Sequence, residues 1–150
     1  MKIDYTDTYA IAFGDFTEST FEQRAFANDL ISAWQSLAES CAKPYADVLD
    51  EFLFDVSSTR GSVQMCLDEK SLNEFVEHQT FKAKIDLLDN IFINLTQEHP
   101  QWSNFSNLAW WEKRIPKKVT RAFFYGISEN HLAEESYLFE IVDYDLLPKK

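Results

Sequence analysis

Glycine, proline and cysteine are scarce in this chain, and each shortage excludes a class of structure. Three Gly and four Pro are too few for a turn-rich all-β fold or a disordered linker. Three Gly also cannot supply the glycine-rich loops that cradle phosphate groups. The two cysteines, Cys41 and Cys66, lie among apolar residues, which is typical of buried, reduced thiols in a cytoplasmic protein. The sequence leaves open whether they touch.

Long apolar runs are also missing. No stretch approaches the roughly 18 apolar residues that a membrane-spanning helix needs. The first seven residues carry acids and no apolar run, unlike a secretory signal peptide. We therefore expect a cytoplasmic protein with no membrane partner. At 150 residues the chain is predicted to form one globular domain, residues 1–150.

Basic residues are outnumbered. The chain has 14 Lys and Arg against 25 Asp and Glu, for a formal net charge of −11. Such a charge opposes nucleic acid and attracts a basic partner, although acidity that only keeps the protein dispersed is the commoner case. A basic run at residues 113–121 follows Trp110 and Trp111 and would suit nucleic acid. Pairing with the acidic surface explains it as well, and we expect no nucleic-acid partner.

Helical periodicity is the strongest pattern that the sequence does contain. In the block from Ser71 to Gln97, apolar residues recur at steps of four and three, which places them on one helix face. A change of phase predicts a break near Gln79-Thr80. A second striped helix is predicted from about Phe21 to Cys41. The core-facing residues of the first block are Phe81, Ile85, Leu88, Phe92 and Leu95.

Apolar residues at every second position predict strands elsewhere. From Pro44 onwards, helical and strand patterns overlap, and a short helix to about Glu51 followed by a hairpin satisfies both. The fold class that follows is α+β, with two or three longer amphipathic helices packed on a small antiparallel sheet; the alternative is a mostly α fold. The predicted strands are Tyr5–Phe16, the hairpin Phe52–Val56 and Val63–Leu67, and the tail segments Val119–Tyr125 and Ser136–Asp143.

No catalytic or cofactor motif stands out. None of His78, His99 and His131 lies at a metal-ligand spacing from another histidine or from a cysteine. Glutamates do lie near His78 and His131, but pairs of this kind are usually solvated surface contacts. The chain also has no G-x-S-x-G elbow. We therefore predict no cofactor, no metal and no catalytic residue. A small enzyme with a dispersed active site stays an alternative, because triad partners need not be near in sequence.

Acidic residues cluster early in the chain. If residues 44–51 are helical, Asp47, Asp50 and Glu51 form a stripe opposite the apolar face, and such a stripe can steer a basic partner. A solvated helix face is the plainer interpretation. Tyr45 is a candidate aromatic anchor if it is exposed. The candidate partner-binding residues are Asp47, Asp50, Glu51, Asp55, Tyr45, Glu134 and Glu135.

In its size, its acid-rich run from Asp47 to Asp55, its Glu134-Glu135 pair and its lack of motifs, the chain resembles the immunity proteins of bacterial contact-dependent growth-inhibition systems. This resemblance implies a protein that binds a cognate toxin, often a basic nuclease, and covers its active site or substrate groove. It implies no catalytic residues. The alternatives are the small enzyme and a structural or adaptor domain whose acidity serves only solubility. The oligomeric state is left open.

Overall fold

The computed structural model of the protein describes residues 1–46, 49–100, 102, 104–121, 123 and 139–142. The chain forms two compact units. The first unit consists of Met1–Ser36 and Ser58–Asn90, and the second of Leu37–Ser57 and Ile91–Lys150. Three of the long helices contribute residues to both units. The single domain expected from the chain length stays a prediction.

Helices dominate the described residues. They are α1 (Asp7–Phe21), α2 (Ala27–Ser40), α3 (Leu49–Asp68), α4 (Lys70–Asn73) and α5 (Val76–Leu95). A short 3₁₀ helix, Trp110–Lys113, follows later in the chain.

Within the described ranges, four strands of three residues each accompany the helices. Strand β1 (Thr96–Glu98) pairs antiparallel with β2 (Arg114–Pro116). Strand β3 (Lys118–Thr120) pairs parallel with β4 (Glu140–Val142). The predicted α+β class is therefore confirmed, with mostly helical content. The predicted small antiparallel sheet corresponds to the β1–β2 pair, and the two tail strands form a second, parallel pair.

The strand predicted at Tyr5–Phe16 is wrong, since most of this segment lies in α1. Thr6 caps the helix, with its Oγ1 accepting from Tyr9 N at 3.3 Å. Tyr9 and Phe13 are fully buried, four residues apart on one helix face. Ile11, between them, points away from the core and is 59% exposed. Because α1 extends to Phe21, the next helix begins at Ala27 rather than at Phe21.

The hairpin predicted at Phe52–Leu67 is also wrong. The whole segment lies in α3, and the Ser- and Thr-rich run expected to turn is helical. Inside a helix, a serine hydroxyl can donate to the carbonyl four residues earlier, and Ser62 Oγ donates to Ser58 O at 2.8 Å. Local bonds of this kind let residues that favour turns remain in a helix.

The long apolar stripe of α5 is confirmed. Phe81, Ile85, Leu88 and Phe92 are all fully buried. The predicted short and long helices exist, but the break lies at residues 74–75, between α4 and α5, and not near Gln79-Thr80.

Aromatic rings form the core of the second unit. Phe52 stacks on Phe92 with centroids 6.4 Å apart, and Trp110 lies 6.2 Å from the same Phe92 ring. Trp111 is buried. This packing fixes the rotation of the N-terminal half of α3 within the second unit, and so determines which of its residues face outward.

Candidate functional site

The N-terminal half of α3 places acids and one aromatic ring on the surface of the second unit. Phe52 and Val56 point inward and are 0% and 1% exposed. Asp50 and Glu51 are exposed, as the acidic stripe predicted, and Asp55 is exposed as well. Phe54 lies among them and is 70% exposed. We call Asp50, Glu51, Phe54 and Asp55 the α3 face.

Helical spacing brings the members of the α3 face together. Asp50 and Phe54 are four residues apart, and so are Glu51 and Asp55, so each pair lies one turn apart on the same side of the helix. Asp50 and Glu51 also occupy the first turn, where carboxylates interact favourably with the helix dipole. Chemically, the α3 face offers three negative charges around an accessible apolar ring.

Phe54 was missed by the sequence reasoning. Phe52, Phe54 and Val56 alternate, which suggested one buried strand face. In a helix, residues 52 and 56 lie on the same face and residue 54 lies on the opposite face. The signal that distinguishes the helix from the strand is the spacing of three and then four residues between Leu49, Phe52 and Val56.

Tyr45 is not available as an exposed anchor, and this part of the prediction is wrong. The residue is 6% exposed, with its ring 5.0 Å from Phe52 and 5.6 Å from Phe123 between centroids. Its backbone is engaged too: Tyr45 N donates to Lys118 O at 3.0 Å, and Tyr45 O accepts from Thr120 N at 2.9 Å. Tyr45 thus extends the β3 edge as part of the core.

Three further candidates lie outside the described residues: Asp47, Glu134 and Glu135. Another acid, Glu112, has an internal role. Its Oε2 accepts from Ser57 Oγ at 2.7 Å, and its Oε1 accepts from Ala109 N at 3.0 Å. Glu112 therefore links the 3₁₀ helix to α3 and is not counted with the α3 face.

The basic run at residues 113–121 has structural partners at the end of α5. The Arg114 guanidinium donates to Thr96 Oγ1 at 2.8 Å, to Thr96 O at 3.1 Å and to Ile93 O at 3.0 Å. Lys117 Nζ donates to Asn94 O at 3.0 Å. Burial lowers the pKa of Arg114. Cations near a helix C-terminus satisfy its last carbonyls, which accounts for these two residues without a nucleic acid.

The two buried thiols in the described part of the chain have raised pKa values. Cys41 and Cys66 are free, buried thiols, and burial raises the pKa of Cys41 to about 11 and that of Cys66 to about 12. A thiol at such a pKa holds almost no nucleophilic thiolate near neutral pH. Among the described residues, no three His, Cys, Asp or Glu side chains come together as metal ligands.

None of the helices in the described ranges combines the length and the apolar character needed to cross a bilayer.

Comparison with known proteins adds no assignment: no family model, no curated protein and no solved structure matches this chain.

Proposed function

We propose that this protein binds and neutralises a basic protein partner through the α3 face, and that the partner is a toxin whose active site or substrate groove it covers. The observation that supports this most is Phe54, a large apolar ring that is 70% exposed beside three exposed carboxylates. Exposed aromatic residues in an acidic rim are the composition expected of a binding hot spot for a basic surface.

Charge supports the proposal at the encounter stage. With a net charge of −11, the protein attracts a cationic surface over several ångströms. Steering of this kind raises association rates strongly at low salt. Carboxylates on a rigid helix also keep a fixed pattern, so they can match fixed cations on the partner at little cost in ordering.

The aromatic ring supports the proposal at the docking stage. An exposed phenylalanine gains free energy by leaving water, about 25 cal/mol for each Å² of apolar surface buried. Rim charges contribute more to the association rate than to the affinity, while a buried aromatic anchor slows dissociation. A toxin that acts on nucleic acid must present cations to its substrate, and those cations would face Asp50, Glu51 and Asp55.

The test compares two variants of equal charge. Asp50→Asn/Glu51→Gln/Asp55→Asn neutralises the α3 face. Its control, Asp4→Asn/Glu74→Gln/Asp86→Asn, removes two Asp and one Glu from other exposed positions. Each protein is immobilised, exposed to lysate of its own organism, and eluted with rising salt.

We expect that one basic protein binds the wild type and the control and elutes at high salt, and that the α3-face variant does not capture it. The captured protein should be toxic when expressed alone, and co-expression of the wild type should restore growth. Equal capture by both variants contradicts the assignment of the α3 face. Capture of a protein whose activity the wild type leaves unchanged contradicts neutralisation.

A further inference from the structure

Two consecutive residues of α5 hold the start of α1 in the first unit. Glu77 Oε2 accepts from Thr6 N at 3.1 Å and from Thr6 Oγ1 at 2.6 Å. The next residue, His78, places Nδ1 2.7 Å from the Tyr9 hydroxyl. Tyr9 is 0% and His78 1% exposed. We call Thr6, Tyr9, Glu77 and His78 the α1–α5 clasp.

In the neutral ring, the hydrogen bonds of His78 select one tautomer. Its Nε2 lies 3.0 Å from the backbone carbonyl of Cys66. A carbonyl oxygen only accepts, so Nε2 carries the hydrogen and donates it. Nδ1 then has a free lone pair and accepts from the Tyr9 hydroxyl. A proton on Nδ1 would reverse this bond, so that Nδ1 donates to the Tyr9 oxygen, the hydroxyl hydrogen of Tyr9 loses this acceptor, and a charge lies on a buried ring.

The surroundings of His78 favour the neutral form. Phe81 stacks on the imidazole with centroids 5.4 Å apart, and Phe13 of α1 lies 6.4 Å away. Burial lowers the pKa of His78 and raises that of Tyr9. The titratable groups around the clasp are Tyr5 before α1, Tyr9 of α1, Cys66 of α3, Glu69 at the start of α4, and Glu77 of α5.

Glu77 adds a second acid-sensitive contact. The hydrogen bonds from Thr6 lower the pKa of its carboxyl group. The carboxylate form is therefore stabilised when α1 is docked, and protonation weakens the contact with Thr6. Acidification therefore weakens both contacts of α5 with α1, because it places a charge on the buried His78 ring and removes the charge of the Glu77 carboxylate that accepts from Thr6.

We propose that the α1–α5 clasp is an acid-sensitive lock, which holds α1 on α5 at neutral pH and releases it when His78 is protonated. The direction of the pH dependence follows from the pKa of His78 in the docked and open states. The His78 pKa is lowered in the docked state and near 6.5 in the open state, so below pH 6.5 the open state binds more protons. Docking is lost as the pH falls from about 6.5, and Glu77 extends the loss below about 4.5. The lock is independent of the α3 face.

Hydrogen exchange measures this release directly. For a single histidine, the protection factors of α1 amides, corrected for intrinsic exchange rates, should fall about tenfold between about pH 7.5 and about pH 5.5. Suitable probes are Ala10 N, which donates to Thr6 O, and Phe13 N. Leu88 N in α5 serves as the internal reference and should change less. His78→Gln, which donates and accepts without titrating, should remove the pH dependence in α1.

The ring signals of His78 in the wild-type protein provide a second measurement that needs no variant. They should titrate below pH 6.5. A ring pKa at or above 6.5 contradicts the lock, and so does α1 protection that stays constant between the two pH values. A fall of equal size in the protection factor of Leu88 N also contradicts the lock, because the whole first unit would then be opening.

Discussion

Arg60 and Asp89 form a two-pronged ion pair inside the first unit. Arg60 Nε donates to Asp89 Oδ1 at 2.9 Å, and Nη2 donates to Oδ2 at 2.9 Å. The two side chains are 4% and 13% exposed. Trp34 Nε1 donates to the same Oδ1 at 3.0 Å, and Arg60 Nη1 to Gln64 Oε1 at 3.0 Å. One carboxylate therefore joins α2, α3 and α5.

Removing that carboxylate is expected to destabilise the fold severely. Asp89→Ala leaves a buried guanidinium without its counter-charge and the Trp34 N–H without this acceptor, and such a change costs about 3–5 kcal/mol. The control is Asp86→Asn on the exposed side of the same helix, with an effect within about 0.5 kcal/mol. Urea unfolding of the two variants measures the difference. Similar stability of both would show that the ion pair is not required.

Gly61 and Gly14 lie within helices and should respond oppositely to alanine. A Cβ at Gly61 would meet no atom within 4 Å, so Gly61→Ala should stabilise α3 by about 0.5–1 kcal/mol. A Cβ at Gly14 would collide with the Arg24 guanidinium and lie 3.0 Å from the Phe26 ring. Gly14→Ala should therefore not stabilise, and thermal unfolding of both variants measures the contrast. A destabilising Gly61→Ala would argue against a continuous α3.

Phe52 and Phe54 lie two residues apart and should differ sharply in their effect on folding. Phe52 is fully buried against Tyr45 and Phe92, so Phe52→Ala should cost about 3–5 kcal/mol. Phe54 is mostly exposed, so Phe54→Ala should change stability by about 0.5 kcal/mol or less. Chemical denaturation is the measurement. Equal losses would favour the hairpin, in which both rings share one face.

The errors in the predicted secondary structure share one physical origin. Apolar residues at i, i+2 and i+4 predict a strand, yet on a helix i and i+4 share a face while i+2 points the other way. Three such triplets occur here in helices, and in each the middle residue is exposed by about half or more. They are Tyr9-Ile11-Phe13, Phe52-Phe54-Val56 and Val63-Met65-Leu67.

Other features depended on partners that are distant in sequence. Strand β1 is short and polar and lacks the alternation of apolar and polar residues that predicts a strand. It is defined by its pairing with β2, about 18 residues later in the chain. The sequence did predict the stripe of α5, because apolar residues at alternating steps of four and three fit a helix and do not fit a strand. Four residues of this stripe are fully buried. The sequence also predicted the exposure of Asp50 and Glu51 through the same helical reasoning. It could not place Tyr45, whose burial depends on Lys118, Thr120 and Phe123.

The two thiols should make the protein sensitive to alkali. Burial raises the pKa of Cys41 to about 11 and of Cys66 to about 12, against an ordinary value of 9.0. The contribution of the two thiols to the free energy of unfolding is therefore complete below about pH 9, because above it the unfolded chain releases protons first. It is lost as the pH rises to about 11 for Cys41 and to about 12 for Cys66. Urea midpoints across this range test the slope. The double variant Cys41→Ala/Cys66→Ala should show a shallower fall; an unchanged slope would contradict the thiol contribution.

The affinity of the captured partner for matched variants tests the central claim most directly. We predict that Asp50→Asn/Glu51→Gln/Asp55→Asn slows association, most strongly at low ionic strength, since salt screens steering charges. Phe54→Ala should instead speed dissociation and weaken binding tenfold or more, as expected for an anchor worth about 2 kcal/mol. The control Asp4→Asn/Glu74→Gln/Asp86→Asn should bind within about twofold of the wild type if the α3 face dominates steering. Association and dissociation rates that are the same for the control and both α3-face variants would contradict the proposed site.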